Sequence, residues 1–141
     1  MCGIFGYVLK ERRPDLLEAA NEIQVHRGPD GAGVAEMAVP LWEIGLAHQR
    51  LSIIDLSDSA SQPMISNDGM EGIIYNGEIY NYKEIISSEG LGNVGDTRAL
   101  FESLNRHGNA YCSNLNGMWS FCYVDKKNQT LTLSRDRFGE K

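Results

Sequence analysis

Cysteine is scarce in this 141-residue chain: there are three, at positions 2, 112 and 122. None forms a CxxC pair or has a histidine at metal-ligand spacing, which argues against a structural zinc site. Nothing marks an oxidising compartment, so free thiols are the expected state, with a Cys112–Cys122 disulfide left open as the alternative. Basic residues are outnumbered 13 to 19, giving a net charge of -6. The clustered Lys and Arg of a nucleic-acid footprint are therefore missing. Long apolar runs are missing too, since Ile4 to Leu9 is too short to cross a bilayer. No basic leader opens the chain, so a cytoplasmic protein with neither membrane nor nucleic-acid partner is expected. Repeats, low-complexity stretches and linkers are absent, and 141 residues at 42% hydrophobic read as one globular domain rather than a two-domain enzyme.

What is present reads as α+β. Ile4 to Leu9 predicts a buried strand. Pro14 suits the first turn of a helix over about 14–25, in which Leu16, Leu17, Ala20 and Ile23 recur at three- and four-residue spacing. A glycine-rich loop at 26–33 precedes strands at about 33–38, 41–47 and 51–55. Residues 71–75 predict a strand that runs into a turn at Asn76-Gly77-Glu78. Asn81 is expected to cap a helix to about Ser88, and Asp96 one over about 97–107 that Gly108 closes. A short helix covers 109–114. Residues 118–124 and 130–134 alternate as a β-hairpin. Helices clustered between strands favour α+β over a doubly wound parallel sheet.

Cys122 lies in the run Trp119-Ser120-Phe121-Cys122-Tyr123-Val124 and reads as a small buried hydrophobe, as does Cys112. Cys2 differs, because it follows Met1, and a small side chain there favours removal of the methionine. The chain would then begin with a residue carrying both a thiol and a free α-amine. A thiol near pKa 8.5 and an amine near 7.7–8.0 place nucleophile and base on one residue. Taken alone, an incidental cysteine is the better reading of position 2.

The remaining motifs change that balance. Met1-Cys2-Gly3-Ile4-Phe5-Gly6, HRGPDGAG at 26–33, LAHQRLSIIDLS at 46–57, YNGEIYNY at 75–82, and GMWSFCYVD through RDRFGEK at 117–141 together resemble the class II glutamine amidotransferase domain. HRGPDG and NGEIYN point to the N-terminal domain of glutamine-hydrolysing asparagine synthetases. The resemblance implies the N-terminal-nucleophile hydrolase fold, a four-layer αββα sandwich of antiparallel sheets, truncated at its C-terminus. Residues 1–141 would be a type 2 amidotransferase domain without its C-terminal strands and without the ATP-dependent synthetase domain.

The implied reaction is hydrolysis of the glutamine side-chain amide to glutamate and ammonia through a thioester on Cys2. The ammonia would pass to an asparagine-synthetase-type acceptor on a synthetase domain or subunit, in cis or in trans. Cys2, Asn76 and Gly77 would be catalytic, the last two as oxyanion donors, each worth ~3–4 kcal/mol. Arg50, Leu51, Ile54, Asn76, Gly77, Glu78 and Asp96 would bind the substrate, with Arg50 on its α-carboxylate and the two acids on its α-ammonium. His26 and Arg27 would order the loop over the site. His48 and His107 read as surface or helix-end residues, and Arg135-Asp136-Arg137 as a charged cluster at the hairpin end. No cofactor is expected in this chain; ATP and Mg belong to the synthetase domain.

Two departures stand out. Arg98 occupies a position where the family usually has an acid. The chain also stops at Lys141, without the SGG-type phosphate loop that would activate aspartate. An excised domain, a truncated frame and a subunit with a separate synthetase are all compatible with this. An unpaired hairpin edge at 118–134 would favour self-association. The competing readings are a catalytically silent regulatory or scaffolding module, and an amidotransferase for another acceptor such as a surface-polysaccharide sugar.

Overall fold

The computed structural model describes residues 1–52 and 60–141. Strands β1 (Gly3–Leu9), β2 (Gly31–Val39) and β3 (Trp42–Arg50) form one antiparallel sheet in the order β1-β3-β2. Strands β4 (Met64–Ile65), β5 (Glu71–Ile79), β6 (Gly117–Asp125) and β7 (Thr130–Arg135) form a second, in that order and also antiparallel. Helix α1 (Pro14–Ile23) packs on the first sheet, while α2 (Tyr82–Glu89) and α3 (Asp96–His107) cover the second. The layers therefore run helix, sheet, sheet, helices, as the resemblance implies.

Period-two alternation assigns each strand's two faces. In β5 and β6, Ile74, Cys122 and Val124 point toward the first sheet, where they meet Met37, Ile44 and Leu46. Ile73, Tyr75, Ile79, Trp119, Phe121 and Tyr123 point the other way, onto Leu100, Phe101 and Leu104 of α3. Both faces of these central strands are buried, so their sequence is nearly continuously apolar. The hairpin turn between β6 and β7 is held by Asp125, whose carboxylate accepts the Asn128 main-chain N–H (3.0 Å) and side-chain amide (2.6 Å).

Several boundaries differ from the sequence expectation. Helix α1 ends at Ile23, and a 3₁₀ turn (Val25–Arg27) takes up the remainder. A longer 3₁₀ segment, Gly108–Asn114, stands where a short helix is expected. Strand β3 already closes at Arg50, and Leu51 and Ser52 are not strand; the rest of the strand expected at 51–55 lies outside the described residues. Asn81 stands at the start of α2 without capping it. Its side chain instead bridges to Asn114 O and Asn116 N, both at 2.9 Å, and pins the 3₁₀ segment to the helix start. The largest correction concerns Asn76-Gly77-Glu78. This is no turn, because β5 runs straight through it, with Asn76 opposite Ser120, Gly77 opposite Trp119 and Glu78 opposite Met118. The tertiary partner β6 overrides the turn preference of the Asn-Gly dipeptide.

Candidate active site

The start of β1 and the end of β3 meet because Gly3 pairs with Gln49. This register sets Cys2 beside the segment that leaves β3. The Cys2 thiol sulfur accepts the Leu51 N–H at 3.4 Å, and Leu51 O lies 3.7 Å away. The glycine-rich loop clamps the same segment. Asp30 N–H donates to Arg50 O (3.0 Å), and the Asp30 carboxylate accepts the Ser52 N–H (2.8 Å). Gly28 lies against this backbone so closely that a Cβ would come within 2.4 Å of the Arg50 carbonyl carbon.

From the second sheet, β5 brings Asn76, Gly77 and Glu78 to the same place. Its even-numbered residues share the face of Ile74 that looks toward the first sheet. The odd-numbered Tyr75 points the other way, and its hydroxyl donates to Asp96 Oδ2 at 2.8 Å. Asp96 is the first residue of α3, with Gly95 at the cap position. It therefore does not cap the helix as expected; the chain enters the helix one residue earlier. Its buried carboxylate accepts three hydrogen bonds, from the Tyr75 hydroxyl, Ile79 N–H (3.2 Å) and Thr97 N–H (2.9 Å). Burial raises its pKa, and the hydrogen bonds oppose that shift. The Tyr75 hydroxyl is pushed well above its usual value, by burial first and then by the nearby Asp96 and Glu78 charges.

These groups line one cleft of about 90 Å³, where Cys2, Arg50, Leu51, Asn76, Gly77, Glu78 and Asp96 meet Gln62, Tyr75 and Thr97. A larger cavity of about 460 Å³ opens between the two sheets, lined mainly by Ile4, Ile44, Leu46, Leu131 and Leu133. It reaches none of Cys2, Arg50, Asn76 and Asp96, so the chemistry belongs to the smaller cleft.

The sequence model of the glutamine amidotransferase domain matches residues 1–141, the whole chain. The chain belongs to this family. A protein provisionally named asparagine synthetase (glutamine-hydrolysing) 2 from Methanocaldococcus jannaschii is 37% identical over 159 aligned residues, covering all of this chain and 31% of that protein. Asparagine synthetase (glutamine-hydrolysing) 1 of Bacillus subtilis is 33% identical over 152, again covering all of this chain and 23% of its own length. The chain thus spans less than a third of these relatives. Among solved structures, a glutamine phosphoribosylpyrophosphate amidotransferase from Bacillus subtilis matches with a TM-score of 0.65 at 18% identity. That match covers 96% of this chain and 37% of the other, and it shows a shared fold.

Within this amidotransferase domain, seven of the eight expected site residues converge; the eighth, Ile54, lies outside the described residues. Gly77 is also constrained by packing. A Cβ there would fall 2.2 Å from Met118 O and 2.7 Å from the Trp119 Cα. Glycine is thus required by the approach of β6, whatever the substrate needs. His26 is exposed, and its Nδ1 lies 3.0 Å from Ile23 O at the end of α1, a loop-ordering contact. His107 sits at the helix end against Glu89, as expected. Cys122 is buried and free, with its thiol pushed up to about 11 by burial, while Cys112 is half-buried and also free.

Two readings need correction. His48 is no surface residue: it is 1% exposed, between the sheets, and burial lowers its pKa to about 4. Asp136 is equally hidden rather than part of a charged surface cluster. Its carboxylate accepts the N–H groups of Trp119, Phe138, Glu140 and Lys141, which hold its pKa down at about 2. Arg137 turns away to donate to Leu115 O and Ser113 O. Sequence reasoning also missed Gln62, Tyr75 and Thr97. Tyr75 stands inside the YNGEIYNY string, whereas Gln62 carries no local signal.

Proposed function

We propose that the chain hydrolyses the side-chain amide of glutamine and delivers the ammonia to an asparagine-synthetase-type acceptor on a synthetase domain or subunit. The observation that carries this reading is the convergence on one cleft of a thiol at residue 2, an Asn-Gly pair, one arginine and two carboxylates. Loss of Met1 frees the Cys2 α-amine. The amine takes the thiol proton as Sγ attacks the amide carbon, forming a carbon–sulfur bond. The negative charge that develops on the carbonyl oxygen is met by the Asn76 side-chain amide and the Gly77 N–H. Collapse of the tetrahedral intermediate breaks the carbon–nitrogen bond, and the α-ammonium returns its proton to the departing ammonia. Water, deprotonated by the same amine, then cleaves the thioester to release glutamate and restore the thiol.

Arg50 holds the α-carboxylate of glutamine, since a guanidinium fork matches it. Glu78 and Asp96 take the α-ammonium. Leu51 lines the substrate pocket, and the family resemblance assigns Ile54 to glutamine as well. ATP and Mg serve the acceptor half-reaction outside this chain.

The test begins with the intact mass of the purified chain, expected to be lower by one methionine, followed by ammonia release from glutamine. Cys2→Ala should abolish release with an unchanged circular-dichroism spectrum. A glutamine analogue carrying an electrophilic side chain should modify Cys2 alone. Modification of Cys112 in its place overturns the assignment.

A further inference from the structure

The main chain of Tyr75, immediately before the Asn76–Gly77 pair, is held by two buried side chains. The first is Gln62, 8% exposed. Its Oε1 accepts the Tyr75 N–H at 2.6 Å, and its Nε2 donates to Tyr75 O at 3.2 Å. Strand β4 pairs Met64 with Ile73, so the next residue opposite Tyr75 in that antiparallel register is Gln62 itself. Gln62 lies just before β4, which begins at Met64, and its primary amide sets an acceptor and a donor side by side, as a peptide does. The Gln62 side chain thus extends the ladder one step beyond the first residue of β4.

The second is His48, which reaches across from β3 and places Nε2 3.2 Å from the same Tyr75 oxygen. A carbonyl can only accept, so Nε2 carries a proton. Its Nδ1 is buried and, among the described residues, has no hydrogen-bond partner. A second proton there would be costly, so the ring is neutral with its one proton on Nε2.

We propose that His48 and Gln62 are positioning residues of this site. By fixing the Tyr75 carbonyl they fix the peptide that carries Asn76, and with it the placement of both oxyanion donors relative to Cys2. Tyr75 divides two functions: its main chain sets the oxyanion donors, and its hydroxyl sets Asp96. This rests on the glutaminase reading above. It predicts that loss of the clamp lowers kcat, whereas loss of the hydroxyl weakens glutamine binding.

The experiment is steady-state ammonia release at varied glutamine, using protein that has lost Met1. His48→Leu should lower kcat by roughly 10- to 100-fold, because displacement by a fraction of an ångström suffices to misalign the donors. Its KM for glutamine should stay within about twofold. His48→Gln, which keeps an N–H donor at a similar reach, should recover most of that loss. Tyr75→Phe should raise KM by roughly 10-fold, reflecting one lost bond to a charged group, with kcat nearly unchanged. Should His48→Leu fail to fold by circular dichroism, Gln62→Leu and His48→Gln carry the same comparison. A folded His48→Leu or Gln62→Leu with unaltered kcat overturns the inference, as does a parallel change of kcat and KM in every variant. Unsubstituted protein that releases no ammonia overturns the glutaminase reading itself and the inference with it.

Discussion

His48 shows how burial makes the stability of a fold sensitive to pH. In the folded chain its pKa falls from 6.5 to about 4, chiefly through desolvation, with a further push from the nearby Arg50 charge. The folded ring is neutral, whereas the unfolded ring binds a proton below pH 6.5. The stabilisation is therefore complete above that value and is lost as the pH falls toward about 4. Between about pH 7 and about pH 5 the loss should come to about 2 kcal/mol. Urea unfolding across that range should show this slope, and His48→Gln, which cannot titrate, should remove it. Equal slopes for the two proteins would contradict the assignment. The carboxylate of Asp136 does not confuse this window, since its pKa is depressed to about 2 and it is protonated only at lower pH.

At the scale of elements, local chemistry and tertiary pairing agree in most places and conflict in a few. The 117–125 and 130–135 hairpin is legible because its alternation, its Asp125-to-Asn128 turn and its length all point one way. The β2–β3 connection is a conflict. Pro40 fixes φ near -65° in the manner of a type II turn, which needs a positive φ at the next residue. Leu41 supplies it at φ 72° although it is neither Gly nor Asn, and it is 86% exposed, so no packing compensates. Leu41→Gly should therefore stabilise the chain by about 1 kcal/mol, read as a higher urea midpoint at unchanged m-value. A lower midpoint would show that Leu41 makes a contact worth more than its strain. The Asn76-Gly77 pair is the converse case. Its dipeptide preference is for a turn, and only the β6 pairing on its flank, nine residues long, draws it into a strand. No reading of residues 71–79 alone contains β6.

For the whole molecule, the decisive feature is that the two sheets leave edges on the same side. Strands β1 and β7 are both terminal in their sheets, and both line the apolar cavity of about 460 Å³ between them. Leu133 of β7 is 75% exposed and Val8 of β1 is 45% exposed. Among the described residues no strand pairs with either outer edge, and unpaired edges beside an apolar groove favour pairing with another chain. The 141-residue chain should accordingly associate as its concentration rises, with Leu133→Lys shifting light-scattering mass toward the monomer. A mass independent of concentration and of that substitution would contradict this. No helix among the described residues is long and apolar enough to cross a membrane.

By itself the sequence determined the family, the α+β class, the order of nearly every element and the identity of seven of the residues that gather in the cleft. These are legible because each rests on a short string whose chemistry is local: a cysteine at position 2, a glycine-rich loop, an Asn-Gly-Glu triplet, an alternating hairpin. The tertiary structure decided how those strings meet. It sent β5 through the Asn-Gly pair and buried His48 between the sheets. It also let the side chain of Gln62 stand in for a missing strand residue, and it brought β6 so close to Gly77 that no Cβ fits there. The physical reason is the same in each case. Burial and cross-strand hydrogen bonds are set by residues tens of positions away, and they outweigh the small preferences that adjacent residues express.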